Sequence, residues 1–181
     1  MMMAFPNPDV KYSYDDYMTW PEDERWELID GAPYSMATPS TRHQRISRKL
    51  TLQVGNFLEG KDCEVFPAPF SVCLADDTVV EPDLSVICDA SKLNERGCVG
   101  APDLIIEILS PSTARHDRVV KFNKYLKARV AEYWIVDPER NVVEVFVLRG
   151  NIYAATAYTE DDVVSSWVLP GLDIDFKHIF E

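Results

Sequence analysis

Glu107 sits inside the run Leu104-Ile105-Ile106-Glu107-Ile108-Leu109, where every neighbour is apolar. A short continuous apolar run reads as a strand covered on both faces. Glu107 is therefore expected to be buried, and a buried carboxylate without a partner costs several kcal/mol. It must be paired, protonated or bound to a metal, and a structural pair with an arginine or lysine from a covering helix is the plainest choice. Asp83 opens a second apolar strand, Leu84 to Cys88, and a loop leads from it to the Glu107 strand. That connection allows the two strands to be sheet neighbours, with both carboxylates at one end of the sheet. Two carboxylates a few ångströms apart repel, and a hard divalent cation such as Mg2+ or Mn2+ relieves the repulsion. Read alone, Asp83 after Pro82 could equally cap a strand or turn.

The remaining pattern supplies the elements that must position these two residues. Ser13 with Asp16 marks a helix start, and Pro21 limits that helix to about two turns. Residues 25–37 read as two short strands around the Asp30-Gly31 turn. Ser40 caps a long helix with the apolar stripe Ile46, Leu50, Val54 and Phe57 or Leu58, and Gly60 ends it. Strands follow near 63–66, 70–74, 79–88 and 103–109, with Pro82 marking a strand end or bulge. A helix is expected over 113–129 with Val119, Phe122 and Leu126 facing inward. Strands near 132–137, 142–148, 152–158 and 163–169 precede a short helix around 176–180. This order fits an α/β fold with a central mixed sheet and a helix on each side.

The chain has 181 residues, 46% hydrophobic and 27% charged, so one domain over 1–181 is expected, with residues 1–12 flexible. No apolar run spans a membrane, and the first residues lack the basic and apolar regions of a secretory signal. The expected compartment is the cytoplasm. Cys63, Cys73, Cys88 and Cys98 form no C-x-x-C pair and are read as small buried hydrophobes in a reducing compartment, rather than zinc ligands or disulfides. A net charge of −12 argues against a general DNA-coating protein. Yet ten of the 18 basic residues fall in two segments. They are Arg42, Arg45, Arg48 and Lys49, then Arg115, Arg118, Lys121, Lys124, Lys127 and Arg129. Either two solvated helix faces or a local surface for an anionic ligand would account for them.

Pro82-Asp83, followed by an acid in an apolar strand, resembles the core of the PD-(D/E)XK nuclease superfamily. The chain is similar above all to its Uma-type branch. The similarity is carried by WELIDG (26–31), RHQ (42–44), VFPAPFSV (65–72), EPDLSV (81–86), GAPDLIIEILSPST (100–113), DRVVKFNKY (117–125), EYWIVDP (132–138) and PGLDIDFKHIF (170–180). It implies a restriction-endonuclease-like fold and a metal-dependent endonuclease cutting phosphodiester bonds, acting on nucleic acid, DNA ahead of RNA, as a homodimer. Asp83, Glu107 and the Ile108 carbonyl would hold Mg2+ or Mn2+. One departure matters: the superfamily lysine two positions after the acid is Leu109 here. The inward direction set by Val119, Phe122 and Leu126 places Lys121 at the flank of the buried face and Lys124 in solvent. Lys121 is thus the replacement cation, although an i,i+4 pair with Asp117 would also explain it. The long helix has no acid before Glu59, so Glu27 from the hairpin, and His43 with Gln44 at the helix start, are the further candidates. Each is equally readable as a structural residue. Ser110 and Ser112 read as a strand end and helix cap, and Trp26, Tyr133 and Trp134 as packing. The rival function is a non-catalytic nuclease-fold protein serving as a regulatory or nucleic-acid-binding partner. A third is a dimeric scaffold whose acids are merely paired.

Overall fold

The structure is a computed structural model and describes residues 6–21 and 24–181. A one-turn helix α1 (Tyr14–Tyr17) is closed by a capping box between Ser13 and Asp16. The hairpin β1 (Trp26–Ile29) and β2 (Ala32–Ser35) turns at Asp30-Gly31, both at positive φ. Helix α2 (Thr41–Leu58) starts at Ser40, whose hydroxyl accepts the His43 amide. Strands β3 (Glu64–Pro67), β4 (Ser71–Ala75), β5 (Thr78–Val80) and β6 (Leu84–Ile87) follow. After a 3-10 turn come β7 (Leu93–Asn94), β8 (Gly97–Val99) and β9 (Leu104–Ile108). A π-helical stretch, His116–Lys121, runs directly into α3 (Phe122–Ala128). The chain ends with β10 (Glu132–Asp137), β11 (Val142–Arg149), β12 (Ile152–Thr159), β13 (Val163–Ser165), β14 (Asp173–Asp175) and α4 (Phe176–Phe180).

These strands form two six-stranded sheets and a small pair. The first has the order β2-β1-β5-β4-β8-β7, the second β12-β11-β10-β9-β6-β3, and β13 pairs with β14. In the second sheet β9 runs parallel to β10 and antiparallel to β6, and every residue of β9 and β10 is buried. Period-two alternation then sends Leu104, Ile106 and Ile108 to the layer shared with α2 and α4. Ile105 and Leu109 point the opposite way, into a layer shared with α3 and the first sheet. Glu107 lies between them in sequence, so its side chain enters that second layer.

Several expectations are corrected. The centre is two facing sheets rather than one, because the segment between Asp83 and Glu107 contains the β7–β8 hairpin, which joins β4. The segment 163–169 is strand only to Ser165. Val119 does not face inward: it is 51% exposed, and the buried line of that helix is Asp117, Lys121 and Tyr125. The cysteines are not all unpaired. Cys63 and Cys88 form a disulfide one step beyond the Glu64–Ile87 pair of β3 and β6, which removes the cysteine ground for a reducing compartment. Cys73 and Cys98 are buried thiols, as expected. The expectation for residues 1–12 falls outside the described residues for 1–5; in the rest, the Tyr12 amide donates to the Gly31 carbonyl. Among the described residues no helix is long and apolar enough to cross a membrane.

Candidate active site

Asp83 and Glu107 meet because β6 and β9 are antiparallel neighbours. Leu84 pairs with Ile106, so the next step outward sets Asp83 opposite Glu107. Pro82 ends β6 there, since it has no amide to donate to the ladder. Asp83 uses the freed edge of β9: its Oδ2 accepts the Ile108 amide at 2.7 Å, while its own amide lies 3.4 Å from Glu107 Oε2. Both carboxylates border a cleft of about 660 Å³.

Glu107 is 3% exposed, and its partners come from the helical line that faces it. Lys121 Nζ donates to Glu107 Oε1 at 2.9 Å, and the Tyr125 hydroxyl donates to the same oxygen at 2.6 Å. Lys121 Nζ is also 2.7 Å from Glu27 Oε1 and 3.6 Å from Asp117 Oδ1. Glu27 arrives from the first sheet, where β1 sends Glu27 and Ile29 into the layer between the sheets; its Oε1 also accepts the Glu81 amide at 3.0 Å. The single buried ammonium therefore serves three buried carboxylates. That imbalance decides their protonation. Burial alone raises Glu27, but the charge of Lys121, the His116 ring and the Glu81 amide outweigh it and hold its pKa at about 2. For Glu107 burial wins over Lys121, with Asp117, Asp83 and Glu27 adding to it, and its pKa rises to about 8. Burial likewise raises Asp117. Lys121 is held well above its usual value because Glu107, Glu27 and Asp117 outweigh its desolvation.

His43 closes the other side of the pair. Its Nε2 lies 3.1 Å from Asp83 Oδ2, and burial, which lowers its pKa, is outweighed by Asp83 and the Ile108 carbonyl, so the value is raised. Thus Glu27, His43, Asp83, Glu107, Ile108 and Lys121 converge at one end of the layer. Gln44 lines the same cleft. Lys121 reaches its place as an inward residue, not a flanking one, and Lys124 is not in solvent: its ammonium pairs with Asp30 and the side chain is 16% exposed. Asp117 and Tyr125 are site residues that the sequence reading missed. Their signal was the i, i+4, i+8 spacing around Lys121, hidden because the apolar residues nearby suggested another inward face. Tyr133 and Trp134 are fully buried packing residues, while Trp26 lines a separate groove of about 750 Å³ with Trp20, Phe66 and Phe70. Three cations of the second basic segment are engaged by acids: Arg118 with Asp137 and Glu144, Lys124 with Asp30, and Lys121 with the buried carboxylates.

The donor set suits a hard cation of modest coordination demand. Among the described residues no group of three or more His, Cys, Asp or Glu side chains is arranged to hold a metal. Two carboxylates on neighbouring strand ends are what Mg2+ commonly takes from a protein, with water filling the rest of its shell. Asp83 Oδ1 accepts no hydrogen bond among the described residues, and Glu107 Oε2 accepts only the long one. Asp83 and Glu107 therefore fit such an ion.

Two sheets with α3 in the layer they share, α2 and α4 on the far face of the second sheet, and paired acids at the ends of adjacent strands, define an α/β protein of the restriction-endonuclease-like class. A crystal structure described as "a putative nuclease belonging to DUF820", from Anabaena variabilis, superimposes with a TM-score of 0.77, covering 93% of this chain and 97% of that one at 22% identity. The chain belongs to the Uma2 family, described as "Putative restriction endonuclease", which matches residues 14–177. It is 35% identical over 121 residues to the uncharacterized protein slr1290 of Synechocystis sp., and 31% identical over 122 residues to sll1609 of the same organism. Those matches span 65% and 63% of this chain, and 64% and 67% of the two relatives.

Proposed function

We propose that this protein is a metal-dependent endonuclease that hydrolyses phosphodiester bonds in nucleic acid, DNA ahead of RNA, as a single domain. The observation that carries the reading is the meeting of Asp83 and Glu107 on adjacent strand ends at the floor of an open cleft. Asp83, Glu107 and the Ile108 carbonyl would hold Mg2+ or Mn2+, which when bound supplies Lewis-acid stabilisation of a phosphoryl oxygen. The chain's own residues prepare that place. The Ile108 amide and His43 fix the Asp83 carboxylate. Lys121 and Tyr125 fix Glu107 through Oε1 and leave Oε2 toward Asp83. Glu27 anchors Lys121 from the opposite sheet. Lys121, the residue expected to stand in for the superfamily's lysine, borders the cleft, with its ammonium engaged by Glu27 and Glu107.

That last observation favours a second reading, a nuclease fold that binds metal and nucleic acid without cutting. One experiment separates the two. Mn2+ is titrated into wild type and Asp83→Asn by calorimetry, and each protein is incubated with linear duplex DNA, single-stranded DNA and RNA in Mn2+ or EDTA. Binding and cleavage by wild type alone, abolished by EDTA, support the nuclease. Binding without cleavage supports the second reading, and absence of Mn2+ binding ends the metal-site proposal.

A further inference from the structure

We infer that the aromatic groove beside the cleft is a base-binding subsite, which takes one unstacked base of a nucleic-acid strand held at Asp83 and Glu107. The inference rests on the nuclease reading and deepens it, because it names the substrate class as nucleic acid with an unpaired nucleotide next to the bound phosphate. The groove has a volume of about 750 Å³, within the range of about 300–1,000 Å³ usual for small-molecule sites.

Its position follows from three chain segments that pass from cleft to groove. In β1, Glu27 turns into the layer between the sheets, and alternation sends Trp26, one residue earlier, to the opposite face. Ahead of β6, Glu81 lines both cavities two residues before Asp83. The connection from β3 to β4 passes the same point. The Ala68 amide donates to the Asp83 carbonyl at 3.0 Å, and Ala68 borders the cleft, while Pro69 and Phe70 border the groove. Arg25 also lines both cavities, and its Nε donates to Glu81 Oε2 at 2.8 Å. That ion pair stands where the two cavities meet, so the groove adjoins the very residues that lead into Asp83.

Four rings line the groove. Phe66 and Phe70 stack with centroids 4.3 Å apart and planes 12° apart, and Trp20 meets Trp26 edge to face at 6.2 Å. The first pair packs on the layer between the sheets and the second on the smaller cluster around Tyr17 and Leu28. All four rings are only half-buried, so part of each stays outside the core. Trp26 also has a buried indole N–H that donates to nothing among the described residues. Charge decides which part of a nucleotide suits this wall. Glu24, Glu81 and Glu95 line it against Arg25, which Glu81 holds, and Arg96, which donates to the Met18 carbonyl at 2.6 Å. Three acids against two engaged cations repel a phosphate, whereas an uncharged base offers a π-face to the rings and acceptors to an N–H. The backbone therefore stays in the cleft, and the base alone turns in. A base inside a continuous duplex must first leave its stack, at a cost that an already unpaired base avoids. The groove accordingly favours single strands, or duplexes with an unpaired nucleotide, over a perfect duplex.

Fluorescence anisotropy of labelled oligonucleotides tests this, with the full chain in EDTA and again with Ca2+. Three probes are compared: a single strand, its perfect duplex, and that duplex with one unpaired nucleotide. Wild type should bind the first and third about tenfold or more tighter than the second, since one stacked base is worth about 5- to 150-fold in affinity. Replacing the unpaired nucleotide by an abasic sugar should return the third probe to the level of the perfect duplex. Trp20→Ala and Phe70→Ala should each remove most of the preference, and Phe70→Trp, which keeps a ring, should retain it. Each variant's own affinity for the perfect duplex is the reference, and its melting temperature checks folding. Equal affinity of wild type for all three probes, indifference to the abasic sugar, or variants that weaken every probe alike would overturn the inference and leave the nuclease reading standing. Binding to none of the probes, with or without Ca2+, would overturn both. The preference without any cleavage in Mn2+ would support the inference and end only the catalytic reading.

Discussion

Replacing Lys121 by methionine keeps the length of the side chain and removes its charge. The side chain is 4% exposed, and its ammonium lies 2.7 Å from Glu27, 2.9 Å from Glu107 and 3.6 Å from Asp117. Removing one partner from a buried ion pair costs about 3–5 kcal/mol, because the remaining charge is left uncompensated. Part of that cost is relieved here, since Glu107, already pushed up to about 8, holds a proton near neutral pH. Glu27, held at about 2 chiefly by Lys121 against its own burial, has no such relief. The lower end, about 3 kcal/mol, is therefore expected at pH 7 without metal. For a chain of this size each kcal/mol shifts the melting temperature by about 2–4 °C, so a fall of roughly 6–12 °C should be seen. The sign with pH is also fixed. A depressed carboxylate contributes stability that is present above its ordinary value of 4.5 and lost as pH falls through its folded value of about 2. The penalty of Lys121→Met should accordingly shrink to less than half by pH 3. Urea unfolding of both proteins at pH 7 and pH 3 reads both numbers. A loss below about 1 kcal/mol at pH 7, or an equal loss at the two pH values, would refute the idea that this ammonium balances the buried acids.

Asp83→Asn keeps an acceptor for the Ile108 amide, so its melting temperature in EDTA should equal or exceed that of wild type while Mn2+ binding disappears; a large destabilisation would mark Asp83 as structural. Because Glu107 is protonated below about 8, cation binding must displace that proton, and affinity should weaken about tenfold per pH unit below that value. Calorimetry in buffers of different ionisation enthalpy should register the released proton at pH 7, and an affinity independent of pH between 6 and 8 would contradict the assignment. Lys124→Ala breaks only a pair with the 58%-exposed Asp30, so it should cost no more than about 1 kcal/mol and leave any cleavage rate nearly unchanged, whereas Lys121→Ala should lower that rate strongly. Equal, mild effects of the two would leave the fold's lysine without a replacement on this helix and favour the non-catalytic reading.

Local chemistry made much of this molecule legible in the chain itself. Ser13 with Asp16, Asp30-Gly31 and Ser40 are local signals, and each produced its cap or turn, because only neighbouring residues take part. The apolar runs around Glu107 and after Asp83 were strands for the same reason, and a carboxylate within such a run had to be buried and answered. Lys121 and Glu27 were nominated as partners, and both do meet at Glu107, but the tertiary contacts that bring them there were not legible. The inward face of 116–128 was misplaced at Val119, because His116–Lys121 is π-wound: Val119 is turned outward, while Asp117, Lys121 and Tyr125 form the buried line. Helical angle counted from hydrophobic residues assumes that burial is apolar, and here the buried line is polar because the facing sheet presents Glu107. The second sheet opposite it, the arrival of Glu27 from a strand distant in the chain, and the Cys63–Cys88 pairing all depend on strand neighbours far apart in sequence. Period and composition fix which faces are apolar; only the tertiary pairing of β1, β6 and β9 decides which acids share one lysine.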